Sequence, residues 1–298
     1  MRCFYHPDYH LPLPEGHPFP MEKFTEAHAM LAQGGFLRDL EMVEPCDEAR
    51  LMRVHTADYL DRLRLGNIDG VEKSRLGLPP GEPLYRRSAL EVEGTRRALF
   101  AALEDGIAAN LAGGTHHAFA DRGEGFCVLN DVAVSVRDLH AVDAKLRVFI
   151  LDTDAHQGNG TNALLGEDER IFTCDLHVGA NYPSRKIAAS LDLPMPRFVG
   201  DDLWLETMRK HAFPALRSFR PDLVVWISGA DPHCNDRFGQ MQLSLKAMMT
   251  RDREVVGFVR EAGWPLAILY GGGYNRTPGW TAKLHALTIR AALTGSGD

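Results

Sequence analysis

The sequence has few cysteines, no closely spaced pair of them, no long apolar run and no surplus of positive charge. Its five cysteines, Cys3, Cys46, Cys127, Cys174 and Cys234, lie far apart with no Cys-x-x-Cys spacing. The odd number and wide spacing argue against a disulfide framework and against a structural zinc cluster. No stretch approaches the roughly 20 apolar residues that a membrane-spanning helix needs. The first residues, from Met1 to Pro7, lack the apolar run of a secretion signal. Acidic residues number 40 against 33 lysines and arginines, giving a net charge of −7. That balance argues against nucleic acid as a partner, which usually requires a basic face. Internal repeats and low-complexity tracts are lacking too. The expectation is a reduced, cytoplasmic globular protein with no nucleic-acid partner and no membrane span.

What is present suits one large α/β domain: 298 residues, 45% of them hydrophobic, with 28 glycines and 17 prolines. Four apolar runs read as buried parallel strands: Arg147 to Leu151, Ile171 to Leu176, Asp222 to Ser228 and Pro265 to Tyr270. Helical patterns lie between them, from Ser88 to Asp105 and from Ser244 to Ala262, stopping at Gly106 and Gly263. Strands alternating with helices predict a parallel sheet covered on both faces, a single domain over 1–298. Arg64 to Arg87, rich in glycine and proline, reads as one long loop that shapes a binding site.

The polar residues that look chemical follow three of these strands directly. Asp152, Asp154, His156 and Asn159 follow the first, Asp231 and His233 the third, and Gly271, Gly272, Gly273 and Tyr274 the last. In open α/β sheets, ligands bind outside the carboxyl ends of the strands. Asp154, His156 and Asp231 offer two oxygens and one nitrogen to a metal and leave a position for water. The plainer reading is that Asp152 and Asp154 only cap the next helix. A second cluster, Gly113-Gly-Thr-His116-His117-Ala118, sets two imidazoles among glycines. Alone, such a pair is often incidental; beside a metal it is a general acid–base candidate.

Taken in order, Gly113 to Ala118, Gly125-Phe126-Cys127 through Asp131, Asp152 to Gly160, Ser228 to Gly239 and Gly271 to Tyr274 resemble the arginase–deacetylase superfamily. The histone deacetylase branch is closest, in particular its class IV type and bacterial relatives. The resemblance runs from His17 to Tyr274. It implies one zinc ion per chain on Asp154, His156 and Asp231. It also implies catalytic roles for His116, His117 and Tyr274, and an acyl tunnel walled by Phe126, Tyr182, Gly125, Gly272 and Gly273. Asp152 matches a carboxylate that contacts the first histidine and, with Asp175, holds a monovalent cation, K+. Gln157 and Asn159 depart from the better-known pattern, where a histidine and an aspartate stand, but suit the class IV type.

The implied reaction is zinc-dependent hydrolysis of an acyl amide, the acyl group leaving a lysine side chain of a protein or peptide. Acetylated polyamines or other small acylated amines are the alternative substrates. An arginase-like two-manganese ureohydrolase, which the resemblance also brings into view, is disfavoured, because Gly158 and His233 stand where its motifs carry aspartates, and losing two carboxylates removes much of a second ion's oxygen shell. A non-catalytic acyl-binding module finds no support, since every ligand and catalytic position is filled. Acyl-chain length and oligomeric state are open from sequence.

Overall fold

The most apolar runs become the middle of a sheet. The computed structural model, which describes residues 1–294, contains eight strands: β1 (Arg2–Tyr5), β2 (Asp39–Met42), β3 (Ile107–Asn110), β4 (Val148–Asp152), β5 (Ile171–Val178), β6 (Leu191–Met195), β7 (Leu223–Ile227) and β8 (Leu266–Leu269). All pair in parallel, in the order β2-β1-β3-β8-β7-β4-β5-β6. Every residue of β4, β7 and β8 is buried, as strands covered on both faces must be. The sheet edges are different. β2 is polar and partly exposed, and β6 carries Pro194, tolerated where a strand has only one neighbour to bond. The expected α/β parallel sheet is thus observed; residues 295–298 of the expected domain lie outside the described part.

The order of strands across the sheet positions the site. β3 and β4 are consecutive in the chain, yet β8 and β7 lie between them. From β4 the chain adds β5 and β6 on one side and then returns to add β7 and β8 on the other, so the connections leaving β4 and β7 diverge, and such a switch point opens a crevice at their carboxyl ends. Those ends are level: Asp152 pairs with Ile227 and with Asp175, and Ile227 pairs with Leu269. Loops from β3, β4, β7 and β8 all empty into one place.

The expected long loop over 64–87 is corrected by the structure. The helix Ala57–Leu65 ends at Gly66, a further helix runs from Gly70–Leu76, and the next spans Glu82–Asp105, beginning well before Ser88. Gly66 and Gly77 take left-handed φ values of 73° and 72° and close the first two helices. Pro83 opens the third. The residues that suggested a loop are helix punctuation. Asp69 caps the middle helix, its carboxylate accepting from the amides of Val71 and Glu72 at 2.8 Å each. At the other end of the chain, Ser244 caps Leu245–Glu261 by accepting from Ala247 N at 3.1 Å.

Candidate active site

β4 ends at Asp152, and Asp154 and His156 follow in the loop beyond it. Asp231 comes from the loop after β7. One potential ligand atom from each of these three buried residues lies within 4.8 Å of the others. His156 Nδ1 stands 3.0 Å from Asp154 Oδ1 and 3.0 Å from Asp231 Oδ2. Its Nε2 donates to the Phe238 carbonyl at 3.2 Å, which turns Nδ1 toward the carboxylates. Backbone amides hold the acids in place: Gly272 N donates to Asp154 Oδ2 at 2.7 Å and Ala155 N to Asp231 Oδ1 at 2.8 Å. A Cβ on Gly272 would lie 2.7 Å from Asp154 Oδ2, so only glycine lets β8's loop come this close. Burial, and then the charge of Asp154, push Asp231 up to about 7. Two buried carboxylates converging on one imidazole are favourable only with positive charge among them. The donor set therefore fits a divalent ion with an open position.

His116 and His117 arrive from β3 on a loop held by Asp131. That carboxylate accepts from Gly114 N at 2.9 Å, Thr115 N at 2.8 Å and the Thr95 hydroxyl at 2.5 Å. His116 Nδ1 lies 2.6 Å from Asp152 Oδ2, and His117 Nδ1 lies 2.7 Å from Asn159 Oδ1. The two rings are 4.1 Å apart, yet they titrate in opposite directions. Burial opposes a charge on His116, but Asp152 and then Asp154 outweigh it and raise the ring to about 9. Burial, then the neighbouring His116 and His156, hold His117 well below its ordinary range. At neutral pH one imidazole is charged and the other neutral, with Nε2 free to accept a proton.

Tyr274 follows β8. Its ring packs 5.2 Å from Phe238, 5.7 Å from Phe126 and 6.0 Å from Phe19. Its amide donates to Asp236 Oδ2 at 2.6 Å, and Asp236 also accepts from the amides of Phe238 and Gly239. Burial keeps the phenol protonated, its pKa well above 10, so the hydroxyl is a donor. Gly125, Phe126, Tyr182 and Phe238 line the approach to His117, His156 and Tyr274. Phe126 has φ 66°, costly for a side chain of this size. Its amide donates to Leu76 O at 2.9 Å and holds the ring in the wall. Tyr182 meets His117 edge-on at 5.0 Å and donates to Glu124 Oε1 at 2.9 Å.

Of the expected wall residues, Gly273 stands apart: a Cβ there would meet Thr281 and Ala230, away from the slot. Asp175 lies on β5 beside Asp152, accepting from Gly158 N at 2.7 Å and Asn162 Nδ2 at 3.2 Å. Burial and the Asp152 charge raise it to about 7. Gln157 bridges Asp192 and Ile187 N, at 2.6 and 2.9 Å, tying the loop that bears Tyr182 to the ligand loop. Sequence reading missed the inner chamber. There Arg87 and Glu91 form two buried hydrogen bonds of 2.7 and 2.9 Å, and Lys23 Nζ donates to Gly271 O at 3.1 Å. Burial lowers Lys23 to about 8. An Arg and a Glu four apart on a helix read as a surface pair, and nothing local marks them as interior.

A sequence profile of the histone deacetylase domain matches residues 17–288. The chain belongs to the histone deacetylase family. It is 38% identical over 290 residues to an uncharacterised protein of Picosynechococcus, covering 97% of each chain. It is 32% identical to histone deacetylase 2 of Arabidopsis thaliana, covering 88% of this chain and 70% of that one. With the histone deacetylase-like amidohydrolase of Pseudomonas aeruginosa the identity is 28%, over 89% and 74%. The solved HDA15 HD domain superposes with a TM-score of 0.80 at 20% identity, covering 98% of this chain and 87% of that one, and shares the fold. The family's chemistry is hydrolytic deacetylation, and the Asp154, His156 and Asp231 group is the candidate metal centre of this histone deacetylase-family hydrolase. Among the described residues no helix is long and apolar enough to cross a membrane.

Proposed function

We propose that this protein is a zinc-dependent amidohydrolase that removes an acyl group from lysine side chains in proteins or peptides. The observation that carries this reading is the convergence of three kinds of group at one slot: an Asp-His-Asp ligand set, a neutral imidazole beside a charged one, and a buried phenol. Asp154, His156 and Asp231 would hold one zinc ion. When bound, the ion supplies Lewis acidity, polarising a carbonyl and easing the ionisation of water.

The chain's own groups do the rest. Phe126 and Tyr182 hold the apolar stem of the acyl-lysine and keep bulk water out. His117 Nε2 takes a proton from the attacking water and passes it to the departing amine nitrogen. Asn159 orients that ring through Nδ1. His116, kept charged by Asp152, favours the negative charge that builds on the carbonyl oxygen. The Tyr274 hydroxyl donates to the same oxygen. A monovalent cation, K+, between Asp152 and Asp175 would offset the crowding of these two buried carboxylates.

The test is direct: acetyl-lysine peptides incubated with the zinc-loaded protein and followed by mass spectrometry. Loss of the acyl group with time is expected. A folded, zinc-loaded protein that leaves every acyl-peptide intact contradicts the reading.

The neutral amide at Asn159 carries a second expectation. A carboxylate there would stabilise the His117 imidazolium and raise the ring's pKa from its depressed position. Because the neutral ring is the base, Asn159→Asp should move the acidic limb of the kcat/KM profile to higher pH. The near-isosteric change should leave the fold intact. A limb that stays or moves to lower pH would transfer the proton-accepting role to His116.

A further inference from the structure

Two arginines stand at the entrance of the slot with no side-chain partner among the described residues. Arg75, in the last turn of Gly70–Leu76, and Arg237, in the loop after β7, both line the mouth. Both side chains are exposed. Neither makes a hydrogen bond, an ion pair or a ring contact among the described residues. Their backbones are nonetheless fixed to the slot. Arg75 O accepts from Gly125 N at 2.9 Å, and Arg237 N donates to Tyr274 O at 3.2 Å.

Two surface arginines near Arg75 in the chain are paired, whereas Arg276, which lines the adjoining cleft, makes no side-chain hydrogen bond or ion pair among the described residues. Arg62 bonds Asp58 and Glu72, and Arg64 bonds Glu48 and Asp61. In a chain with seven more acids than bases, unpaired arginines are the less expected outcome. The acid at the mouth, Glu124, is already engaged: it accepts from the Tyr182 hydroxyl at 2.9 Å and lies 3.6 Å from Arg122 Nε. Glu15, Glu22 and Glu26 line an adjoining cleft, but none comes within 4.0 Å of an Arg237 nitrogen. The mouth thus presents two uncommitted guanidinium groups against one committed carboxylate, a local sign opposite to that of the whole chain. Guanidinium groups so placed meet whatever flanks the scissile amide, and they pair bidentately with carboxylates.

Resting on the deacylase reading above, we propose that this entrance selects acyl-lysines flanked by aspartate or glutamate and disfavours polyamines and basic peptide tails. Arg75 and Arg237 are its specificity-determining residues, acting on the substrate's flanks and not on the reacting atoms.

Three acetyl-lysine peptides of one length, with acidic, neutral or basic flanks, test this. The acidic peptide should exceed the basic one by about tenfold in kcat/KM, the scale of two exposed ion pairs, with the difference carried by KM. Added salt should shrink it. The double variant Arg75→Glu with Arg237→Glu should reverse the ranking, whereas Arg75→Lys with Arg237→Lys should keep its order. Fluorescence anisotropy of the same labelled peptides gives the affinity ranking without turnover. If the neutral peptide is never deacylated, the deacylase reading fails, and the anisotropy ranking still decides the charge preference. Basic peptides that bind as tightly as acidic ones, or a ranking unmoved by the charge-reversing double variant, overturn the proposal.

Discussion

Asp231→Asn is expected to yield a folded protein that no longer retains zinc and no longer turns over an acyl-peptide. Asparagine keeps the oxygen that accepts from Ala155 N, so the loop after β7 has no reason to move. What it loses is the charge, one of two carboxylates in a three-residue ligand set. Losing a partner that only supports a ligand typically costs roughly 10–100-fold in metal affinity, and losing a ligand should exceed that. Thermal unfolding separates this from simple damage. Zinc should raise the melting temperature of the parent protein, by the usual linkage of binding to stability, and should raise that of the variant little.

The metal-free proteins should also differ in their pH dependence, and the sign follows from the raised pKa. Asp231 ionises near 7 in the folded chain against an ordinary value of 3.8. Ionising it therefore disfavours the folded state. The contribution of Asp231 should lower the stability of the metal-free parent as pH rises from about 4 to about 7 and be constant above that. Asp231→Asn should show a shallower decline, the part due to Asp175 remaining. A variant that binds zinc as the parent does would remove Asp231 from the metal site.

Tyr274→Phe should lower kcat by roughly 100-fold to 1,000-fold, the range for losing one donor to a developing oxyanion. KM should change far less, because the ring's packing on Phe19, Phe126 and Phe238 survives. The Asp236 bond uses the backbone amide and is untouched. Zinc content should match the parent. An unchanged kcat would leave Tyr274 as a wall of the slot and no more.

The middle of the fold was readable because β4, β5, β7 and β8 are buried parallel strands with continuous apolar runs. The four strands that escaped notice each lack that signal. β1 is four residues at the very start, β2 is polar, β3 is Ile-Ala-Ala-Asn, and β6 contains proline. Alanine and asparagine have weak strand preference, so β3 is set by its neighbours β1 and β8. Arg64 to Arg87 failed for another reason: glycine and proline bound short helices there, and composition alone does not separate a boundary from a loop.

The candidate ligands were legible because each follows a strand end, and the two histidines because they stand in tandem among glycines. The groups that hold them were not. Asp131 and Asp236 act by accepting from backbone amides of distant loops, and no local spacing announces such a role. Arg87, Glu91 and Lys23 line the inner chamber from two helices, and no motif in the sequence marks them as interior.

The central claim, a single-zinc deacylase, is tested most directly by stripping the protein with a chelator and titrating zinc back while following deacylation of an acetyl-lysine peptide. Turnover should vanish on stripping, rise in proportion to added zinc and saturate at one equivalent per chain. Turnover that survives stripping, or that returns only with two equivalents of manganese, would contradict the account.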